Sequence, residues 1–207
     1  MIQAIIFDIG GVLVRTGDHR HRREWEARLG LAERESEKIV FGGEMGTKAQ
    51  RGDISDEALW VWVGQRLNLS QSDLAAFRRS FWAGDVLDTD LVAFIRKLRP
   101  RYQTAVISNA TDGLHTALAD KFHIADAFDL IVGSAVERVM KPDPEIFTRT
   151  LARLGRAPAE AVFVDDFAHN IKAARDLGLH TIHFQPGTDI PAELAQLGVA
   201  PGRSTLA

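Results

Sequence analysis

The sequence predicts an α/β fold, a Rossmann-like three-layer sandwich with a parallel sheet between helices and an all-helical insertion after the first strand. Three observations carry this prediction. Short apolar runs, rich in branched and aromatic residues, occur at Ile5-Ile6-Phe7 and at residues 104–108, 129–133, 161–165 and 180–184. Segments of helical period at residues 90–98, 111–122, 144–154 and 170–177 alternate with the later runs, and strand alternating with helix marks a parallel sheet covered on both faces. From about residue 15 to residue 87 the pattern is helical with no strand signal. The implied division is an α/β core of residues 1–14 and 88–207 and a helical cap of residues 15–87.

In chain order, the first apolar run ends at Asp8 and Gly10-Gly11 then breaks it. That suits a strand buried on both faces that opens into a tight turn at its carboxyl end, where open parallel sheets bind ligands. An insertion leaving from this end sits over Asp8 as a lid. Within it, Asp18-His19-Arg20-His21-Arg22-Arg23 reads as the exposed start of a helix in preference to a substrate-attracting cluster, because charge runs are usually solvated faces. Gly42-Gly43 and Gly46 read as a flexible turn. Ser55, followed by Asp56 and Glu57, starts a helix with Leu59, Trp60, Val63 and Leu67 at core spacing, and Ser70 starts another with Leu74, Phe77 and Phe81. Trp60 and Trp62 cannot share a helix face, so one belongs to the core and the other faces the cleft or a partner. Further on, Asp143 caps a helix opened by Pro144, and Gly178 stops the helix carrying Ile171, Ala174 and Leu177. The tail from Ala200 has little to order it.

Bulk composition narrows the function classes. A chain of 207 residues that is 45% apolar and 26% charged can bury a substantial core. Lys and Arg total 25 against 28 Asp and Glu, a net charge of −3, so no global field favours nucleic acid or an acidic membrane surface. The absence of cysteine excludes disulfides, thiolate catalysis and Cys-ligated metals. With no apolar run approaching a membrane span and no leader pattern, the expectation is a soluble, cytoplasmic protein, a monomer or weak homodimer.

Four strand ends offer chemistry: Asp8, Ser108-Asn109, Lys141 in Lys-Pro-Asp-Pro, and Asp165-Asp166. Each alone has a bland alternative. Ser108-Asn109 could hold an anion at a helix N-terminus or simply cap the helix. Pro142 biases Lys141 to extended geometry and aims its side chain, though it could be a solvated lysine. Two acids at the end of the buried run Ala-Val-Phe-Val repel unless a cation or a shared proton offsets them, or they are capping acids of a loop. His169 reads as a loop residue and Asn170 as a residue that fixes the loop.

The order Asp, Ser-Asn, Lys-Pro, Asp-Asp at successive strand ends resembles the haloacid dehalogenase-like hydrolase superfamily, in particular its phosphatases with a helical cap after the first strand, over about residues 2–198. Arg51-Gly52-Asp53-Ile54-Ser55 resembles the short glycine-containing cap segment of that group, and the nearest branch holds sugar-1-phosphatases and the N-terminal phosphatase domain of soluble epoxide hydrolases. The resemblance implies that Asp8 attacks phosphorus to give an aspartyl-phosphate which water hydrolyses. It implies that Ser108, the Asn109 backbone, Gly11 and Arg51 bind substrate and that Lys141 ties phosphate to the nucleophile. It also implies Mg²⁺ bridging Asp8, the Gly10 carbonyl and Asp166, with Asp165 a ligand or its neighbour. A hard cation and one lysine around three phosphoryl oxygens suit phosphoryl transfer independently of the resemblance.

One position departs from that pattern. The family's second aspartate, two residues after the nucleophile, is Gly10 here, and general acid–base help is worth roughly 10²–10⁴-fold. Three consequences are open: a leaving group needing little protonation, such as an acyl phosphate or anomeric sugar phosphate; a proton from the cap; or slow turnover. The expected function is a Mg²⁺-dependent phosphatase for a small phosphorylated metabolite, a sugar phosphate preferred. Its rivals are a metal-independent dehalogenase and a phospholigand-binding regulatory module with little turnover.

Overall fold

The computed structural model describes residues 1–201. In chain order the elements are β1 (Ala4–Phe7), β2 (Val14–Thr16), α1 (Arg20–Leu29), α2 (Glu35–Phe41), α3 (Gly43–Gln50), α4 (Asp56–Arg66), α5 (Gln71–Phe81) and β3 (Asp85–Leu87). There follow α6 (Thr89–Leu98), β4 (Gln103–Ser108), α7 (Leu114–Thr116), β5 (Leu130–Gly133), α8 (Ser134–Glu137), α9 (Pro144–Leu154), β6 (Ala161–Asp165), α10 (Ala168–Asp176), β7 (His180–His183) and α11 (Ile190–Gln196). Five strands form one parallel sheet in the order β5-β4-β1-β6-β7, which puts β1 at the centre.

The alternation of side chains along these short strands builds two cores rather than one. Ile5, Phe7, Val106, Val162 and Val164 pack on one face with Leu91, Ile95 and Leu98 of α6 and Ile190 and Leu194 of α11. Ala4, Ile6, Ala105, Ile107 and Phe163 pack on the other face with Ile146, Phe147, Leu151 and Leu154 of α9 and Ile171 and Ala174 of α10. Ile5, Ile6 and Phe7 are all fully buried, a gain of about 1.5–3 kcal/mol each, so β1 is held wherever Asp8 must be held. This is the α/β sandwich that the sequence predicts.

The stretch between β1 and α6 contains a third, separate cluster in which Trp25, Val40, Ala49, Leu59, Trp60, Val63, Phe77 and Phe81 of α1–α5 are buried together. Ser55 and Ser70 cap α4 and α5 by accepting from the N–H groups of Ala58 and Asp73, both at 3.1 Å. The expectation of no strand in this stretch is corrected, because β2 and β3 pair antiparallel, Val14 opposite Leu87, as a two-stranded ribbon where the chain enters and leaves the helices. Three-residue strands carry too little alternation to read.

Three further expectations change. Gly46 lies inside α3, not in a turn; a Cβ there would stand 2.6 Å from the Phe41 carbonyl carbon, so its lack of a side chain lets α3 close on α2. Arg22 is buried, not solvated: its guanidinium meets Glu37 at 3.0 Å and Asp85 at 2.9 Å and lies 4.3 Å above the Phe81 ring. Residues 111–122 form the short α7 followed by a π-helical turn at Ala117–Lys121 instead of one continuous helix. Ala200 donates to the Tyr102 hydroxyl at 3.3 Å, and the remainder of the expected loose tail, residues 202–207, lies outside the described residues. No helix among the described residues is long and apolar enough to cross a membrane.

Candidate active site

The carboxyl ends of β1, β4 and β6 and the loop before α9 converge on one point. Asp8 follows β1, with only 6% of its surface exposed, and its Oδ1 accepts from the Ile9 N–H at 2.7 Å and from Lys141 Nζ at 2.9 Å. Lys141 is itself buried and its ammonium also donates to Asp165 Oδ2 at 2.7 Å. Asp165 is fully buried; its Oδ1 accepts from the Phe167 N–H at 2.7 Å, and Asn170 Nδ2 donates to both of its oxygens at 3.0 and 3.1 Å. A charged pair so enclosed is tolerable only because every lone pair has a donor.

Asn109 acts on the lysine from the other side. Its Nδ2 donates to the Lys141 carbonyl and its Oδ1 accepts from the Lys141 N–H, both at 2.8 Å. This reciprocal bond clamps the Lys141 loop to the end of β4, a role for the Asn109 side chain that the sequence did not reveal, since 32 residues separate the partners. Ser108, buried at the end of β4, lines the same cleft.

Asp166 completes the group, and one oxygen each from Asp8, Asp165 and Asp166 lie within 4.8 Å of one another. Gly11 makes room for it: with φ at 81°, a Cβ on Gly11 would fall 2.2 Å from Asp166 Oδ2. Gly10 is different, with no atom within 4 Å of where its Cβ would stand. Burial first, then repulsion from Asp165, raises the Asp166 carboxyl above its ordinary range, and burial pushes Asp8 up to about 6 against the lowering pull of Lys141. One ammonium faces three carboxylates here, and Asp166 Oδ1 is buried with no hydrogen-bond partner. An orphaned carboxylate oxygen in an uncompensated negative cluster is what a divalent cation with oxygen ligands relieves, so these residues fit Mg²⁺.

The site opens into a cleft of about 1680 Å³ between the helical insertion and the sheet, lined among others by Asp8, Gly10, Gly11, Ser108, Asn109, Lys141 and Asp166. The structure therefore brings together every expected site residue except Arg51. Arg51 is exposed at the end of α3 and does not line the cleft, whereas its neighbour Gln50 does. The sequence also missed the contact that seats the insertion beside Ser108: Thr111 Oγ1 donates to Asp56 Oδ1 at 2.8 Å, and the Asp56 N–H donates to Asp112 Oδ1 at 2.9 Å. Partners about 55 residues apart leave no local signal.

Residues 2–178 match the family of haloacid dehalogenase-like hydrolases. The chain belongs to that family. It is 28% identical to D-ribitol-5-phosphate phosphatase of Bacteroides thetaiotaomicron over 94% of this chain and 97% of that protein, and 26% identical to the sesquiterpene phosphatase astK of Aspergillus oryzae over 94% and 96%. It is 32% identical to mouse acyl-CoA dehydrogenase family member 10 over 95% of its own length, but spans only 19% of that longer protein. Among solved structures, HAD family enzyme bt-2542 of Bacteroides thetaiotaomicron, crystallised with magnesium and inorganic phosphate, superposes with a TM-score of 0.76 at 25% identity, covering 93% of this chain and 99% of that one. An L-2-haloacid dehalogenase of Xanthobacter autotrophicus, at TM-score 0.64 and 24% identity over 97% and 85%, shares the fold. The chain is thus a haloacid dehalogenase-like hydrolase.

Proposed function

We propose that this hydrolase is a Mg²⁺-dependent phosphomonoesterase acting on a small phosphorylated metabolite, with Asp8 as nucleophile. The observation that carries the reading is the buried, unpartnered oxygen of Asp166 beside Asp8 and Lys141, since a dehalogenase working without a metal has no use for it. Asp8, the Gly10 carbonyl and Asp166 would hold Mg²⁺, which when bound supplies positive charge to phosphoryl oxygens. Asp165 is spent on Lys141 and the loop of Phe167, so we assign it to position the lysine.

In the first step a carboxylate oxygen of Asp8 bonds to phosphorus as the bond from phosphorus to the leaving oxygen breaks, and that oxygen departs with the electron pair. Water then splits the aspartyl-phosphate, releasing phosphate and a proton to solvent. Lys141 sits against Asp8, and we assign the Ser108 hydroxyl and the Asn109 N–H to bind the phosphoryl oxygens at the end of β4. With Gly10 in the acid position the leaving oxygen must depart without that proton donor, which favours acyl phosphates or anomeric sugar phosphates. Residues 15–87 form the cap over residues 1–14 and 88–207, excluding water during transfer.

The test is phosphate release from a panel of phosphorylated metabolites with Mg²⁺ and with EDTA. Release that requires Mg²⁺ and falls by at least about 10⁴-fold in Asp8→Asn is expected, the scale on which loss of a nucleophile acts. Equal release from Asp8→Asn would reject the mechanism.

A further inference from the structure

The walls of the cleft above the site differ from its floor. From the insertion come Phe41 and Trp82, and from the core come Leu114, Phe122 and Phe184. Phe41 meets Trp82 edge to face at 5.6 Å yet keeps 44% of its surface exposed, so it is an aromatic ring presented to the cleft instead of being absorbed into the cluster beneath. Lys121 bridges the two walls with its ammonium 5.6 Å from the Trp82 ring and 4.8 Å from the Phe122 ring, leaving its alkyl stem to extend the apolar surface.

Most of the charged groups that line the cleft away from Asp8 are engaged with one another, Asp120 and Lys121 standing outside these ion pairs. Arg22 is paired with Glu37 and Asp85, Arg15 with Asp88 at 2.7 Å, and Arg78 with Asp56. At Arg15, Arg22 and Arg78 sugar hydroxyls would have to compete with those pairs, at the cost of leaving a charge unpaired. A hydrocarbon chain asks for none of them and gains from leaving water. The cleft is also larger than the roughly 300–1,000 Å³ that ordinarily encloses a drug-sized ligand, and it runs without a break from the aromatic wall to Asp8 and Lys141.

We infer that the preferred substrate carries its phosphate on an extended apolar group, which lies against Phe41, Trp82 and Phe122 while the phosphate meets Asp8. This rests on the phosphatase reading above and replaces the sugar-phosphate preference expected from the sequence. Acyl phosphates are the suitable probe, because lengthening the chain leaves the departing carboxylate equally acidic and so isolates the apolar contact.

The experiment compares kcat/KM with Mg²⁺ for acetyl, butanoyl and octanoyl phosphate and for glucose 1-phosphate, in the natural chain and in Phe41→Ser and Trp82→Ser. A rise of at least about tenfold from acetyl to octanoyl phosphate is expected from the transfer of methylenes out of water, with octanoyl phosphate also above glucose 1-phosphate. The octanoyl-to-acetyl ratio should fall at least about threefold in Phe41→Ser, whose partly exposed ring makes its removal tolerable to the fold, and further in Trp82→Ser. Asp8-dependent release with no dependence on chain length, or with glucose 1-phosphate preferred, would overturn this inference while leaving the phosphatase reading intact. Failure of Asp8→Asn to lower release from any of the four would reject both.

Discussion

Asp165, on the floor of the cleft, and Trp60, in the helical insertion above it, are equally hidden from water but are held by different means. Asp165 has both oxygens committed to named donors, Lys141, Asn170 and the Phe167 N–H. Trp60 meets Phe77, Phe81 and Trp82 edge to face at 6.2, 5.7 and 6.4 Å, with no bond that fixes its position to better than the packing allows. Directional bonds on a central strand hold reacting groups to tenths of an ångström, whereas aromatic packing on a separate helical cluster allows rearrangement around ligands of different shape. On the function proposed above, chemistry and substrate choice would fall to regions whose cohesive forces suit them.

The largest test of this division adds an acid to the floor. Nothing occupies the space where a Gly10 side chain would stand, so Gly10→Asp should raise turnover of substrates with poor leaving groups by roughly 10²–10⁴-fold, the worth of general acid catalysis. Acyl phosphates should change far less, and a rate series across leaving groups of graded acidity reads the difference directly. If every substrate responded alike, the missing proton donor would not be what limits the floor.

In the insertion, Trp60→Ala removes the largest fully buried side chain of the molecule and should cost about 3–5 kcal/mol. Because its cluster is separate from both sheet cores, differential scanning calorimetry should show the loss in an early-melting portion of the transition while the sheet keeps its midpoint. A single uniformly lowered transition would mean that insertion and core unfold as one unit.

Protonation separates the two regions on a smaller scale. Asp8 is raised by burial from 3.8 to about 6, so between those values the folded chain holds a proton that the unfolded chain has released. Stability from this group therefore grows as pH falls through about 6 and is lost above it, by about 1 kcal/mol between pH 7.5 and pH 5.5. Thermal melts in EDTA at the two values should show a larger gain in the natural chain than in Asp8→Asn, where the raised Asp166 carboxyl still contributes, and Mg²⁺ should abolish it by favouring the ionised carboxylates.

The smallest expected effect lies at the seam. Thr111→Val deletes the 2.8 Å hydrogen bond to Asp56 and should lower stability by about 0.5–1 kcal/mol, measured by urea unfolding. Amide exchange in α4 should accelerate while that of β1 stays unchanged.

The strand ends at Asp8, Ser108-Asn109 and Asp165-Asp166 were legible because a parallel strand buried on both faces must be a continuous apolar run, and an acid or a Ser-Asn at its end is conspicuous against it; Lys141, expected at a fourth strand end, lies instead in the loop between α8 and α9. Caps at Ser55, Ser70 and Asp143 were legible because capping is local in sequence. The helix α11 escaped notice although Asp189 caps it through the Ala192 N–H and Pro191 opens it, signals of the same kind that were read at Asp143. The ribbon of β2 and β3 and the burial of Arg22 could not be read, since each depends on partners about 60 or 70 residues away.

By itself, then, the sequence determined which groups stand at the carboxyl edge of the sheet, because period and strand order are written in local apolar patterning and connection rules. Tertiary structure alone decided what those groups do to one another: that Asn109 clamps Lys141, that Asp165 anchors the lysine while Asp166 keeps a free oxygen, and that the wall facing them is aromatic. Hydrogen bonds and desolvation act over a few ångströms in space, and only the folded chain brings residues so distant in sequence within that range.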